Sequence, residues 1–227
     1  MSRNDRTTSA TPRAAPPSVA DADPPPGSRR IFFDQRSNSL VVWVCQGDYY
    51  VSSSPYEVLS TVLGSCIAVC MRDPVVGCGG MNHFLLPTSA RINDGGSSVA
   101  LRYGSYSIER LTNALIARGA VRERLEVKVF GGANIMSGGA NFGHANADFV
   151  ESYLKREGLK VLARSLRGTQ PRRLRFHPVT GRAQFYEGRE IQSAAVAARE
   201  ARLALQLRGA NAKSSIDIFD PSVRLED

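Results

Sequence analysis

The chain has 227 residues, a formal net charge of +8 and four cysteines. This length suits one core domain with tails. With no signal peptide and no apolar run of about 18 residues, we expect a cytoplasmic protein in a reducing compartment, without membrane insertion. The positive charge comes largely from scattered arginines, which favours a solvated surface over a nucleic-acid partner.

Three parts are predicted along the chain. Residues 1–30 are rich in Ser, Thr, Ala and Pro and lack a hydrophobic period, which predicts a disordered tail. The core domain is predicted over 31–188. The remainder, 189–227, contains the Ala- and Arg-rich stretch Glu190–Arg208, which has high helix propensity, and a mobile end. We expect this extension either to dock on the core or to serve as an adaptor for a partner.

Within the domain, a strand at Leu40–Val44 is followed by a predicted β-hairpin. Ile67–Met71 is a short, apolar, partly β-branched run typical of a buried strand, and Gly80–Leu86 returns as the second strand. Asp73-Pro74 and Gly77 supply the turn between them.

This hairpin brings a thiol close to an imidazole. If it is centred near Val75, facing residue numbers sum to about 149–150, so that Cys66 faces His83 or Phe84. A bulge at Gly79-Gly80 is able to shift this register by one. Facing Cβ atoms lie about 4.5–5.5 Å apart. An imidazolium lowers the pKa of a neighbouring thiol, so Cys66 and His83 are a candidate nucleophile and base.

Residues before the cysteine suit acyl-transfer chemistry. Gly64 and Ser65 allow a close backbone approach, and the amide of Cys66 can donate to an oxyanion. Ser60 or Thr61 can supply a hydroxyl that orients the far imidazole nitrogen, as the third member of a triad. The alternative is that the cysteine is a small buried hydrophobe and the histidine a satisfied core residue.

A zinc site is the competing interpretation, because Cys66, Cys70, Cys78 and His83 are zinc-ligand types close in sequence. The strand pleat argues against it. Cys66 and Cys70 share one parity, whereas Cys78 needs a favourable register to join their face. We therefore predict no metal and no cofactor.

The rest of the domain is predicted to alternate helices, strands and loops. The predicted elements are helices at Ser105–Arg118 and at Ala147–Glu157 with Asn146 as its cap, strands at Leu125–Phe130 and Leu159–Ala163, a hairpin of Arg173–His177 with Arg182–Tyr186, and loops at Thr88–Ser98 and Ser137–Gly143.

Gly131, Gly132 and Ala133 follow a predicted strand. Without a G-x-G-x-x-G or Walker pattern they indicate close backbone packing rather than a nucleotide site, with lining of the catalytic cleft as the other interpretation.

A basic cluster lies near the predicted end of the domain. The only aromatic residue close to this cluster in sequence is Phe176, whereas RNA-binding modules show several stacking aromatics. We favour a protein-facing or merely solvated patch. Its members are Arg164, Arg167, Arg172, Arg173 and Arg175.

The segment T-V-L-G-S-C-I-A-V-C-M-R-D-P, followed by G-G-M-N-H-F-L-L-P, closely resembles the signature of the CheD family of chemoreceptor glutamine deamidases. The resemblance covers roughly Val44 to Tyr186. It continues in Arg102-Tyr103-Gly104, Val129–Ala133, Phe176-His177-Pro178 and Thr180-Gly181. The chain departs from the family pattern at Ala145-Asn146 and at Ser165–Gly168, which bears on partner docking and loop geometry more than on chemistry.

The resemblance implies a fold and an activity. The fold is a single α/β domain, a layered sandwich around a mixed β-sheet, with a papain-like catalytic arrangement on a distinct topology. The family's catalytic Cys, His and Thr fall on Cys66, His83 and Thr61, with Ser60 as the other match. The implied substrate is the cytoplasmic domain of a methyl-accepting chemoreceptor, and the implied reaction is glutamine deamidation through a thioester. The alternative function is non-catalytic docking that regulates a CheC-type phosphatase.

Overall fold

The computed structural model describes residues 31–86, 99–135, 141–187 and 196–202. The predicted tail 1–30, the predicted loop Thr88–Ser98 and most of the C-terminal extension lie outside the described residues. Within the described ranges, no helix is both long and apolar enough to cross a membrane.

In the described part of the chain, ten strands form two mixed sheets. The first sheet has the order β1-β2-β4-β9-β10 and the second the order β3-β6-β5-β7-β8. Pairing is antiparallel except between β2 and β4 and between β7 and β8. The strands are β1 (Ile31–Asp34), β2 (Ser39–Trp43), β3 (Tyr49–Ser52), β4 (Glu57–Leu63), β5 (Ile67–Asp73), β6 (Cys78–Asn82), β7 (Glu126–Gly131), β8 (Lys160–Leu166), β9 (Arg172–Phe176) and β10 (Ala183–Glu187).

Two longer helices, α1 (Val99–Ile116) and α2 (Phe142–Arg156), cover one face of the second sheet. Alternation along β5 explains the layering, because successive side chains point to opposite faces of a sheet. Ile67, Val69 and Met71 pack among the helices, whereas Ala68 and Cys70 pack against the first sheet. The layers are therefore sheet, sheet and helices. The predicted layered α/β sandwich is confirmed, and it is built on two mixed sheets.

Both helices begin earlier than their sequence signals predicted. The first starts at Val99 rather than at Ser105, because Leu101 and Tyr103 extend its apolar stripe onto the core. The predicted N-cap Asn146 is wrong, since α2 starts at Phe142 and places Asn146 inside the helix, where it is buried. Its Nδ2 donates to the carbonyl of Phe142 within the helix at 2.8 Å, and its side chain also bonds to Ser65 and Leu86 outside the helix. The polar side chain that resembled a local cap therefore makes tertiary contacts.

The β5–β6 hairpin forms as predicted but in a different register. Cys70 pairs with Met81 and Met71 with Gly80, and the pairing continues to Asp73 and Cys78 without a bulge. The predicted register was wrong because Asp73 ends the strand instead of entering the turn. Its carboxylate accepts a hydrogen bond of 2.9 Å from the amide of Val75, and this contact sets the length of the turn.

The same carboxylate ties the hairpin to the segment before β7. Asp73 is fully buried, and it accepts hydrogen bonds from the amide of Val121 at 2.9 Å and from the guanidinium of Arg124 at 2.7 Å. Arg124 holds the pKa of Asp73 well below its usual value. The charged form of this side chain therefore stabilises the fold.

We expect Asp73→Asn to lower the free energy of unfolding by about 2–3 kcal/mol near neutral pH, since a buried charge-assisted network is lost. Because the folded-state pKa is the lower one, this stabilisation is complete above the usual carboxyl pKa of about 4 and is lost as the pH falls through the folded-state pKa. Urea unfolding at a series of pH values from about 7 to about 3 should show that the difference in unfolding free energy between wild type and Asp73→Asn becomes smaller as the pH falls.

The matched control is Asp148→Asn, which removes an exposed ion pair with Arg167. It should change the unfolding free energy by less than about 0.5 kcal/mol. A gap for Asp73→Asn that stays constant across the pH series would contradict the assigned role.

Candidate active site

The three candidate catalytic residues come from both sheets. Thr61 lies on β4 of the first sheet, and the Gly64-Ser65 link then carries the chain across to the second sheet, where Cys66 immediately precedes β5. His83 immediately follows β6. The side chains of Thr61, Cys66 and His83 are all fully buried. The site therefore forms between the sheets.

Cys66 and His83 are diagonal neighbours and do not face each other directly. Ile67 and Phe84 exchange backbone hydrogen bonds of 2.8 and 2.9 Å, which puts Cys66 opposite Leu85. The predicted facing of Cys66 with His83 or Phe84 is wrong, for the same turn-length reason as the hairpin register. Diagonal neighbours on one face lie about 7–8 Å apart, still within reach of long side chains.

Thr61, and not Ser60, contacts the imidazole. The Oγ1 atom of Thr61 lies 2.8 Å from Nδ1 of His83. Ser60 points to the other face of the strand and donates a hydrogen bond of 3.0 Å to the carbonyl of Leu174. Alternation along β4 allows only one of these two neighbours to reach between the sheets. The carbonyl oxygen of Val44 lies 3.4 Å from the same imidazole nitrogen.

A glutamine side chain contacts the thiol. Nε2 of Gln46 donates a hydrogen bond of 3.0 Å to Sγ of Cys66. The loop that carries it also contacts the histidine backbone, because the amide of Gly47 donates to the carbonyl of His83 at 2.7 Å and the amide of His83 to that of Asp48 at 3.0 Å. The sequence analysis did not identify Gln46, because nothing local marks it as a contact of Cys66.

The Gly-Gly-Ala segment braces the nucleophile turn. The amide of Gly132 donates to the carbonyl of Cys66 at 2.8 Å, and that of Ala133 donates to Gly64 at 2.7 Å. At Gly131, φ is +114° and an added Cβ would stand 2.0 Å from the Cys66 carbonyl oxygen, so only glycine fits. These contacts match the close-packing interpretation, and lining of the cleft stays a prediction.

Asn146 holds the other side of the turn. Its Nδ2 donates to the carbonyl of Ser65 at 3.0 Å, and its Oδ1 accepts from the amide of Leu86 at 2.8 Å. One buried side chain thus connects α2, the turn before Cys66 and the segment after His83. It positions the two reactive groups without being next to either in sequence.

A carboxylate accepts hydrogen bonds from the Cys66 amide, which was expected to serve as an oxyanion donor, and from the two amides before it. Glu200, in the helical segment 196–202, is fully buried and accepts hydrogen bonds from the amides of Gly64 at 3.0 Å, Ser65 at 2.8 Å and Cys66 at 3.3 Å. The Ser65 hydroxyl donates a further bond of 2.5 Å. Of the two roles expected for the extension, docking on the core is the one that its described residues adopt.

The remaining cysteines are separated by the sheet. Cys70 packs between the sheets with Cys66, whereas Cys78 packs among the helices. Burial raises the pKa of both the Cys70 and Cys78 thiols, which disfavours the thiolate forms that attack or bind metal. Within the described residues, no group of three or more His, Cys, Asp and Glu side chains is arranged to hold a metal ion.

Most of the predicted basic cluster is paired with acidic side chains or backbone carbonyls of the same chain. Arg172 is buried and donates to the carbonyl of Ser165 at 2.6 Å, which links β9 of the first sheet to β8 of the second. Further pairs join Arg175 to Asp34, Arg164 to Glu151, and Arg167 to Asp148 and Glu151. Much of the positive charge of this cluster is therefore engaged in ion pairs and hydrogen bonds within the protein.

Fold and site together define an α/β sandwich with a buried thiol and an oriented imidazole, the residue types of a cysteine-dependent acyl-transfer enzyme. A family model described as CheD chemotactic sensory transduction matches residues 85–187. A Rhodopseudomonas palustris relative is 47% identical over 184 residues, which are 81% of this chain and 85% of the relative. The chain belongs to the CheD family, as its hairpin motif predicted.

Other relatives have the same description. A Cereibacter sphaeroides protein is 53% identical over 148 residues, covering 65% of this chain and 72% of the relative. One from Burkholderia vietnamiensis is 42% identical over 193 residues, covering 83% and 78%. All three are named probable chemoreceptor glutamine deamidase CheD. A crystal structure of a Neisseria meningitidis DUF152 protein superposes with a TM-score of 0.40 at 11% identity, over 59% of this chain and 66% of that one.

Proposed function

We propose that this protein hydrolyses specific glutamine side chains of methyl-accepting chemoreceptors to glutamate, with Cys66 as nucleophile, His83 as general base and Thr61 as the residue that orients the imidazole. The proposal rests on the 2.8 Å contact between Thr61 and Nδ1 of His83. Because this contact engages Nδ1, the opposite ring nitrogen, Nε2, is left to take the proton of the thiol. The names of the relatives support the substrate class.

The first half of the reaction forms a thioester. His83 Nε2 takes the proton of the Cys66 thiol, and the thiolate attacks the carboxamide carbon of the substrate glutamine. The amide of Cys66 donates to the oxyanion that develops on the carbonyl oxygen. Gln46, whose Nε2 lies 3.0 Å from Sγ, stabilises the negative sulfur before attack. The carbon–nitrogen bond then breaks, and ammonia leaves with the proton from His83.

The second half releases the product. Neutral His83 takes a proton from water, and the hydroxide attacks the thioester carbonyl. When the carbon–sulfur bond breaks, the Cys66 sulfur regains a proton from His83 and the substrate carries a glutamate side chain. Water supplies the new oxygen, ammonia carries off the nitrogen, and no redox cofactor or metal takes part in this scheme.

The test incubates the purified full-length protein with cytoplasmic fragments of chemoreceptors from the same organism. Peptide mass spectrometry should find glutamines that gain about 1 Da, and about 2 Da more when the reaction runs in ¹⁸O-labelled water, since water hydrolyses the thioester. Fragments whose glutamines all keep their mass would overturn the proposal. Docking to a CheC-type phosphatase, scored as a change in phosphatase activity, would then be the function to pursue.

Thr61→Val is expected to lower kcat/KM for deamidation about 10- to 100-fold, because it removes one buried hydrogen bond to the imidazole while keeping the side-chain shape. Thr61→Ser should restore most of the activity, which a purely structural role of the methyl group would not allow. Steady-state ammonia release measures both variants.

Ser60→Ala is the matched control, since it changes the adjacent hydroxyl on the opposite face of β4. Its kcat/KM should stay within a few-fold of wild type. The reverse order, with Ser60→Ala the more damaging change, would transfer the orienting role to Ser60.

A further inference from the structure

The C-terminal helical segment 196–202 places a carboxylate at the nucleophile turn. Four donors converge on Glu200, namely the amides of Gly64, Ser65 and Cys66 and the Ser65 hydroxyl. Three consecutive backbone N–H groups in a turn form a concave site that suits an anion. Gly64 keeps the space open, because an added Cβ there would stand 2.9 Å from Oε1 of Glu200.

The oxyanion of the proposed reaction needs one of these donors. A backbone N–H points in one direction and makes one good hydrogen bond. Oε1 of Glu200 accepts from the amide of Cys66 at 3.3 Å, so it stands where an oxyanion bonded to that amide would stand. The two oxygens therefore exclude each other at Cys66.

The chemistry of the bound group matches that of the product. Deamidation replaces the nitrogen of a glutamine side chain by oxygen, so the product is a glutamate carboxylate attached to a protein. Glu200 is the same functional group on a helical segment of this chain. A site with two donors for each carboxylate oxygen favours this product over the neutral carboxamide, which has one acceptor oxygen and two N–H donors.

We propose that the amides of Gly64, Ser65 and Cys66, with the Ser65 hydroxyl, form a binding site for the side-chain carboxylate of glutamate, which Glu200 fills as a product mimic within the chain, so that the segment 196–202 competes with the receptor substrate. This inference rests on the proposed function, because it identifies the competing group from the product of that reaction.

The segment is attached in a way that permits release. Its described apolar anchor is Val196, which packs on Trp43 and Val62 at the outer face of the first sheet. Arg199 donates a hydrogen bond of 3.0 Å to the carbonyl of Val62. A short segment with so little buried apolar surface opens locally without global unfolding. Receptor binding then has to displace only this segment.

The test compares full-length wild type with Glu200→Ala and with the shape-conserving Glu200→Gln in the receptor-fragment assay. An intramolecular competitor raises KM by the reciprocal of the fraction of molecules in which the site is open, so removing one that fills the site about 90% of the time or more should lower KM about tenfold or more, with kcat little changed. The deamidated receptor fragment, which carries glutamate, should inhibit Glu200→Ala more strongly than wild type. Arg202→Ala, an exposed position on the same segment, is the control and should behave as wild type.

A second measurement does not depend on turnover. Alkylation of Cys66 by iodoacetamide, followed by peptide mass spectrometry, should be about tenfold or more faster in Glu200→Ala, because the docked segment no longer closes the turn. Cys78, which is buried among the helices and away from this segment, should stay unmodified in every sample and so serves as the internal reference for an intact fold.

The outcomes separate the two proposals. If Cys66 is alkylated faster in Glu200→Ala but neither wild type nor variant deamidates the fragments, the proposed function is overturned. The finding that the segment 196–202 covers the turn is then retained. Normal deamidation with unchanged KM and unchanged alkylation would overturn the segment's role and keep the enzyme. Loss of activity in both Glu200 variants, in parallel with a lower Tm, would show that Glu200 stabilises the turn. That result would also overturn the role of the segment as a competitor.

Discussion

Cys66→Ala should lower kcat/KM for receptor deamidation by about 10⁴-fold or more, the largest effect we expect of any single substitution in this protein. The thiolate is the only group of the protein that bonds to the substrate carbon in the proposed mechanism, and alanine leaves nothing to replace it. Ammonia release and peptide mass spectrometry on receptor fragments measure the loss. Wild type quenched in acid during turnover should also carry a receptor fragment as a thioester, which the variant should lack.

Cys70→Ala is the matched control for this experiment. Cys70 lies on the same face of the sheet and is equally buried, but burial keeps its thiol protonated by raising its pKa. We expect its kcat/KM to stay within a few-fold of wild type. Conversion by Cys66→Ala at the wild-type rate would remove Cys66 from the mechanism, and loss of conversion only in Cys70→Ala would transfer the nucleophile to Cys70.

His83→Gln should lower kcat/KM by about 10³-fold, within the range of general acid–base catalysis. Glutamine has a similar length and can still bond to Thr61, so the space between the sheets stays filled. It cannot take up and return a proton. Steady-state ammonia release from receptor fragments measures the loss.

His177→Gln serves as the histidine control. His177 follows β9, where Phe176 pairs with Leu59, at the end of β4 remote from Gly64. The change should leave kcat/KM and its pH profile unaltered. Full activity in His83→Gln together with an inactive Cys66→Ala would mean that another group takes the thiol proton.

The candidate site includes Glu200 and Asn146 as well as the pair of Cys66 and His83. Both side chains bond to the turn that presents Cys66, one from the C-terminal segment and the other from α2. The position of the turn is therefore set by two parts of the chain that are distant from it in sequence.

Features that depend on neighbouring residues were predictable from the printed sequence. The apolar, β-branched run at Ile67–Met71 and the turn residues Asp73 and Gly77 predicted the hairpin, and the structure forms it. The motif around Cys66 and His83 predicted the family, which the relatives confirm. Local chemistry carries this information because strand propensity and turn conformation are set over a few residues.

The groups that surround the sulfur of Cys66 could be identified only from tertiary contacts. Gln46, Asn146 and Glu200 bond to the Cys66 turn from positions 20 to 134 residues distant along the chain. Such pairs leave no periodic or local signal, because their members are neighbours only in the packed structure. Likewise, Thr61 and Ser60 are adjacent and chemically alike, so the side of β4 that faces the second sheet, a property of packing, selects Thr61.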